Sequence, residues 1–299
     1  MRTDRPTGEG LGAGLVVLAA VGFATLGPAS RFAFAAGVDP LALVTWRAII
    51  GGLVVVVIAT ILFRLGQVVA RPWRDIPRRH KLMNVVAGLI NAALNITVLV
   101  AITRISIGLA LLVFYTYPAM VAVVSTVFFG ERLDRTRWAA LLVSLVGLVL
   151  VLVGAGQVGQ LDPLGVGLAF IGALCQVGYA LTARHGFPSI PSPQAAGGTF
   201  VVAAVAYLVV LVLIGELETL SAPLDSSAAL VPVLFAGVIG AGIPTMAWIM
   251  GIRILGAPRA AIISTLEPVI GILLAALLLA ELPTPLQLVG GACIVAAAI

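Results

Sequence analysis

The sequence predicts an all-α integral membrane protein in which ten transmembrane helices form two inverted five-helix repeats around a central cavity. Three observations predict it. The 299 residues are 61% hydrophobic and only 10% charged, with a mean hydropathy of +1.19, whereas soluble domains carry roughly 25% charged residues. Apolar runs of about 18 residues or more recur between short polar breaks, each long enough to cross a hydrocarbon core as a helix. Finally, features of the first half return in the second about 150 residues later, a separation read from the numbering.

Taken in order, the apolar windows place helices near 11–34, 40–63, 82–102, 106–129, 137–154, 164–183, 195–214, 228–251, 258–280 and 286–299. Helices are required because hydrocarbon cannot satisfy an open backbone, and the runs are continuously apolar rather than alternating, which argues against a barrel. Before the first helix, Met1 to Leu11 mixes Arg2 and Arg5 with Asp4 and Glu9. The apolar run that follows is too long for a cleaved signal peptide and reads as an uncleaved anchor. The tenth helix, from Leu286 to Ile299, spans only about 21 Å at the helical rise, so either the chain is trimmed there or the helix is short.

Charge placement sets the orientation. With a cytoplasmic N-terminus, the inner segments hold Arg2, Arg5, Arg64, Arg71, Arg74, Arg78, Arg79, Lys81, Arg132, Arg135, Arg137, Arg184, Arg253 and Arg259. The outer ones hold Arg31 and Arg104 beside Asp39, Asp162, Glu216, Glu218, Asp225 and Glu281. This excess of basic residues on one side predicts both termini in the cytoplasm and a location in the bacterial inner membrane. The net charge of +5 is thereby assigned to topology rather than to a nucleic-acid surface. Cys175 and Cys293 both lie in apolar stretches, so neither a disulfide nor a thiolate metal site is expected. No cofactor is expected.

The fourth helix reads GLALLVFYTYPAMVAVVSTVFFGERL and the ninth APRAAIISTLEPVIGILLAALLLAEL. Pro118 to Glu131 and Pro268 to Glu281 share one spacing, and Gly12, Gly14 and Arg31 align with Gly165, Gly167 and Arg184. Residues 1–154 and 155–299 are accordingly read as two repeats. Each holds five helices, an odd number, so the second enters the membrane in the opposite sense, the organisation from which alternating-access carriers are built. With the PLALVTWRAI run of helix two, these segments resemble the ten-helix EamA-type branch of the drug/metabolite transporter superfamily. The resemblance implies export or exchange of small metabolites, commonly amino acids, and helices five and ten peripheral to the cavity. Within the superfamily the chain looks most like bacterial amino-acid exporters, including those for aromatic amino acids; export of drugs or other metabolites is the alternative, as is a passive channel.

Polar residues inside the membrane mark the candidate site. Glu267 is an acid deep in a helix and should face the bundle or a wet cavity. It reads either as a proton carrier or substrate-amine ligand, or as a carboxyl supporting a kink at Pro268. Arg47 could hold a substrate carboxylate bidentately, snorkel to the interface, or pair with Glu267. Asn84, Asn91 and Asn95 form one stripe on helix three, and Gly172, Gln176 and Tyr179 another on helix six. Each stripe reads as cavity lining or as interhelical hydrogen bonding. Trp46, Tyr115, Tyr179 and Trp248 would suit apolar or aromatic side chains. The expected substrate site is therefore Trp46, Arg47, Asn91, Asn95, Tyr115, Gln176, Tyr179, Trp248 and Glu267, with kinks at Pro118 and Pro268 and with Arg31 and Arg184 as interfacial anchors. An enzyme is not expected, because His80 and His185 lie at the cytoplasmic edges and no catalytic motif falls within the helices. Expected partners are a small-molecule substrate and the lipid bilayer, with no nucleic acid, in a monomer or homodimer.

Overall fold

A computed structural model describes residues 6–131, 134–154, 156, 162–279 and 282–298. The expectations that rest on Arg2, Asp4, Arg5, Arg132 and Glu281 lie outside the described residues. Among the described residues the regular structure is helical, with nine helices long and apolar enough to cross a membrane, α1 (Gly8–Ala35), α2 (Pro40–Arg64), α3 (Arg78–Ile102), α4 (Ile107–Phe129), α5 (Arg135–Gly154), α6 (Pro163–Gly186), α7 (Ser192–Ile214), α8 (Ser227–Leu255) and α9 (Ala257–Leu278), and a shorter apolar helix, α10 (Pro285–Ala298). Several begin a few residues before the apolar windows do. Arg78 to Lys81, for instance, form the first turn of α3, whose polar side chains hydropathy alone discards.

Local chemistry sets the helix ends. Asp39 accepts from the Leu41 and Ala42 amides at the start of α2, and Asp162 accepts from Leu164 N at the start of α6. Each is followed by a proline whose missing N–H is not needed in the first turn. Ser106 and Ser226 cap α4 and α8 in the same way. Such caps satisfy amides that would otherwise lack partners at the membrane boundary.

Three helices are broken, each three residues before a proline. α1 breaks at Thr25 before Pro28, α4 at Tyr115–Thr116 before Pro118, and α9 at Thr265 before Pro268. A proline within a helix cannot donate to the carbonyl four residues back and pushes it aside. At each break a threonine hydroxyl donates to a nearby carbonyl: Thr25 to Gly22 O at 2.7 Å, Thr116 to Val113 O at 2.7 Å and Thr265 to Ile262 O at 2.6 Å. α8 instead widens into a π-helical turn over Val238–Gly242, just before Pro244, and α6 ends in another over Thr182–Gly186.

Packing exchanges helices between the two halves. α3 lies between α6 and α7, while α8 lies against α1 and α2. Gly172 of α6 meets Val98 of α3, and Gly88 of α3 meets Val202 of α7; across the molecule, Gly22 of α1 meets Pro244 of α8, and Gly51 of α2 lies against the Gly242 backbone. Small residues permit this approach where lipid offers no hydrophobic drive between helices. α2 pairs with α7, α4 with α6, and α9 with α1, a set of contacts that an inverted repeat produces. α5 and α10 pack on each other through Gly147 and Gly290 and, among the described residues, mainly against α4 and α9 otherwise. Large apolar side chains point outward along the bundle, with Phe128, Leu213 and Leu277 exposed by 76%, 78% and 80%, a surface suited to lipid and not to water.

Helix alternation and cross-contacts define two faces. Glu9 with Arg259, and Arg71 with Gln194, meet on one face; Arg104 with Asp162, and Thr284 with the Gly154 carbonyl, meet on the other. Arg64, Arg71, Arg74, Arg78, Arg79, Lys81, Arg135, Arg137, Arg184, Arg253 and Arg259 belong to the first, hereafter the Arg184 face, and Arg31 and Arg104 to the second.

Candidate functional site

Polar and aromatic groups from seven helices converge between the two faces. Arg47 of α2 donates from Nη2 to Asn95 Oδ1 at 2.6 Å, and the Asn95 amide nitrogen donates to the Asn91 carbonyl at 2.8 Å. Tyr207 of α7, 2% exposed, places its hydroxyl within hydrogen-bonding reach of the Asn95 side chain and close to Arg47. On the α9 side, the Glu267 carboxylate faces the Tyr115 hydroxyl, with Tyr117 beside it. Glu267 and Arg47 influence each other electrostatically but form no ion pair of 4.0 Å or less.

Aromatic rings wall this region. Tyr179 of α6 stacks on Trp248 of α8 with centroids 5.2 Å apart and planes 7° from parallel. Phe114, Tyr115 and Tyr117 cluster at the α4 break, with centroids 5.3 to 5.9 Å apart. Trp248 Nε1 donates to Ser264 Oγ at 3.3 Å, and that hydroxyl donates to the Ala260 carbonyl at 2.9 Å. Ser264 also lies against the Tyr117 hydroxyl, so the last residue before the α9 break joins two walls. The Tyr179 hydroxyl is buried beside the Thr199 hydroxyl of α7.

Of the residues expected in a substrate site, Arg47, Asn95, Tyr115 and Glu267 come together, with Tyr179 and Trp248 as the stacked pair. Asn91 takes part through its carbonyl. Gln176 lies one turn before Tyr179 on α6 and is half-buried. Trp46 is placed elsewhere, because its Nε1 donates to the Leu220 carbonyl at 3.0 Å in the α7–α8 connection. Asn84 is an interhelical bond, donating to the Ala195 carbonyl of α7 at 3.0 Å. Pro118 and Pro268 sit just past the two breaks. Tyr207, Tyr117 and Ser264 were not expected in the site. Their only signal was being polar-tipped or hydroxylated within an apolar run, a property shared with many residues that merely pack.

A helical membrane bundle with broken helices, inverted halves and charged groups gathered at mid-depth is the architecture of a secondary transporter. The profile of the EamA-like transporter family matches residues 10–153 and again 163–299, and the chain belongs to that family. It is 26% identical over 260 residues to the uncharacterised transporter YdfC of Bacillus subtilis (strain 168), covering 85% of this chain and 79% of that one. It is also 26% identical over 196 residues to the uncharacterised transporter sll1319 of Synechocystis sp. (strain ATCC 27184 / PCC 6803 / Kazusa), covering 64% of this chain and 57% of that one. A solved crystal structure superposes with a TM-score of 0.77 over 96% of this chain and 94% of its own, at 23% identity, and so shares the fold.

Proposed function

We propose that this transporter exports amino acids with apolar or aromatic side chains across the bacterial inner membrane by alternating access, without a cofactor. The observation that carries the reading is that Arg47 and Glu267 lie in one polar region without pairing to each other. A zwitterion leaving water needs both charges met, since an isolated buried charge is costly. Arg47, steadied by Asn95, answers the carboxylate; Glu267, beside Tyr115, answers the ammonium, directly or through water. The Tyr179–Trp248 stack takes the side chain. The basic excess of the Arg184 face supports a cytoplasmic location for that face and for both termini.

Counterflow of phenylalanine, methionine and threonine in proteoliposomes tests the reading. Wild-type protein should exchange at least one of them saturably, and Arg47→Ala and Glu267→Gln should each slow exchange about tenfold or more, equivalent to about 1.4 kcal/mol. Absence of amino-acid flux in the wild type would defeat the substrate class. Unchanged rate and affinity in both variants would defeat the two assigned roles. If Glu267 also carries a proton, wild-type flux should vary with pH and that of Glu267→Gln should not.

A further inference from the structure

Glu131, singled out by the repeated Pro-to-Glu spacing, takes no part in the central site. It lies just past α4, where Gly130 adopts φ +68°. The turn is fixed by Glu131 N donating to Ser125 O at 3.1 Å and by Thr126 Oγ1 donating to Glu131 O at 3.2 Å. Its carboxylate crosses to the other half of the molecule. Oε1 accepts from Arg184 Nε at 2.8 Å and lies 3.4 Å from His185 Nε2, both at the end of α6. Oε2 accepts from Ala257 N at 3.1 Å, the first amide of α9. Gly256, at φ +90°, has no Cβ, and one built there would stand 3.3 Å from Oε2.

The donors are themselves braced. Arg184 Nη1 donates to the Arg253 carbonyl at the end of α8. The Arg253 guanidinium donates to the carbonyls of Ala183, Phe187 and Ile190 and to Ser192 Oγ, and lies over the Phe187 ring. The His185 ring stacks on Phe129 at 4.2 Å. Arg184 therefore does more than anchor the interface: with only 30% of its side chain exposed, it links α4, α6 and α8.

We propose that Glu131 is the latch that holds the Arg184 face shut, and that the structure is the latched conformation. This rests on the alternating-access reading above. A single carboxylate from residues 10–153 gathers donors from two helices of residues 163–299, so the halves cannot part on this face until those bonds break. Charge-assisted bonds with limited solvent access are strong and directional, while their loss to water on opening keeps the step reversible. Glutamine at this position retains an acceptor for Ala257 N but loses the charge facing Arg184; alanine loses both.

The test uses Asn91→Cys as a mid-depth reporter in a chain whose Cys175 and Cys293 are replaced by alanine. A membrane-impermeant thiol reagent is applied to each side in turn. Labelling from the Arg184 face should be slow in the reporter alone, severalfold faster with Glu131→Gln and faster still with Glu131→Ala, while labelling from the opposite face falls. Unchanged rates in both Glu131 variants, with folding verified by thermal unfolding, would overturn the latch. Should Glu131→Ala fail to fold, Glu131→Gln and Arg184→Lys decide, and rates equal to the reporter in both would overturn it. The readout needs no substrate. Altered labelling without amino-acid flux leaves the latch standing, whereas amino-acid flux with unaltered labelling defeats the latch alone.

Discussion

Asn84 and Arg47 show how a polar side chain within an apolar helix takes on different roles. Asn84 is 1% exposed and donates to the Ala195 carbonyl, while its Oδ1 occupies the space that a Cβ at Gly198 would need. Replacing Asn84 with alanine should cost about 0.6 kcal/mol, at most about 2, as interhelical bonds in bilayers do. Gly198→Ala should destabilise the wild type and do so less in the Asn84→Ala background; equal effects, read by thermal unfolding in detergent, would contradict the contact. The Arg47 guanidinium instead donates to Asn95 alone among the described residues, which leaves donors for a ligand. The sequence made the polar residues conspicuous, because each is rare where it stands. It could not separate Asn84 from Asn95, which share one stripe and differ only in what α2 and α7 bring opposite them. The surroundings of Trp46 were unreadable for the same reason: its depth in α2 was legible, but not the Leu220 carbonyl that its ring nitrogen meets.

At the scale of the helix, nine segments were legible because length and hydropathy suffice to mark a crossing, while the tenth is apolar but shorter. Their interruptions were only half legible. Pro118 and Pro268 announced a disturbance, and the breaks fall upstream of them at Tyr115–Thr116 and Thr265. The π-helical turn before Pro244 had no distinct signature, since a proline leads to a break or a widened turn according to its neighbours. The α5–α10 pair yields a separate prediction. A Cβ at Gly147 would lie 2.6 Å from Gly290 O and 2.9 Å from Cys293 Cβ. Gly147→Leu should therefore push the helices apart and lower stability by about 1–3 kcal/mol, the usual range for overpacking. No residue of the central site lies on either helix, so substrate affinity in counterflow should hold. A large loss of affinity in folded Gly147→Leu protein would tie α5 to the transport path.

Across the whole molecule, the doubled spacing and the odd helix count made the inverted repeat readable. The exchange of α3 and α8 between halves was not, because hydropathy records where a segment lies in depth and says nothing of its lateral neighbours. The proposed orientation rests on the basic excess of the Arg184 face. A cysteine at Arg74 should react with an impermeant reagent from the cytoplasm alone and one at Glu218 from the outside alone; the reverse pattern would invert the molecule.

That exchange also bears on how the protein is made. The groove filled by α8 is formed by Gly12, Gly22 and Gly51 on α1 and α2, helices that leave the ribosome long before Ser227 does. Throughout that interval the glycine faces of α1 and α2 lack the α8 surface they meet in the finished fold, and α3 likewise lacks α6 and α7. Membrane insertion can proceed helix by helix, but assembly is a late event shared by both halves. Residues 1–154 or 155–299 synthesised alone should be cleared by quality-control proteases, and the two produced together as separate polypeptides should protect each other.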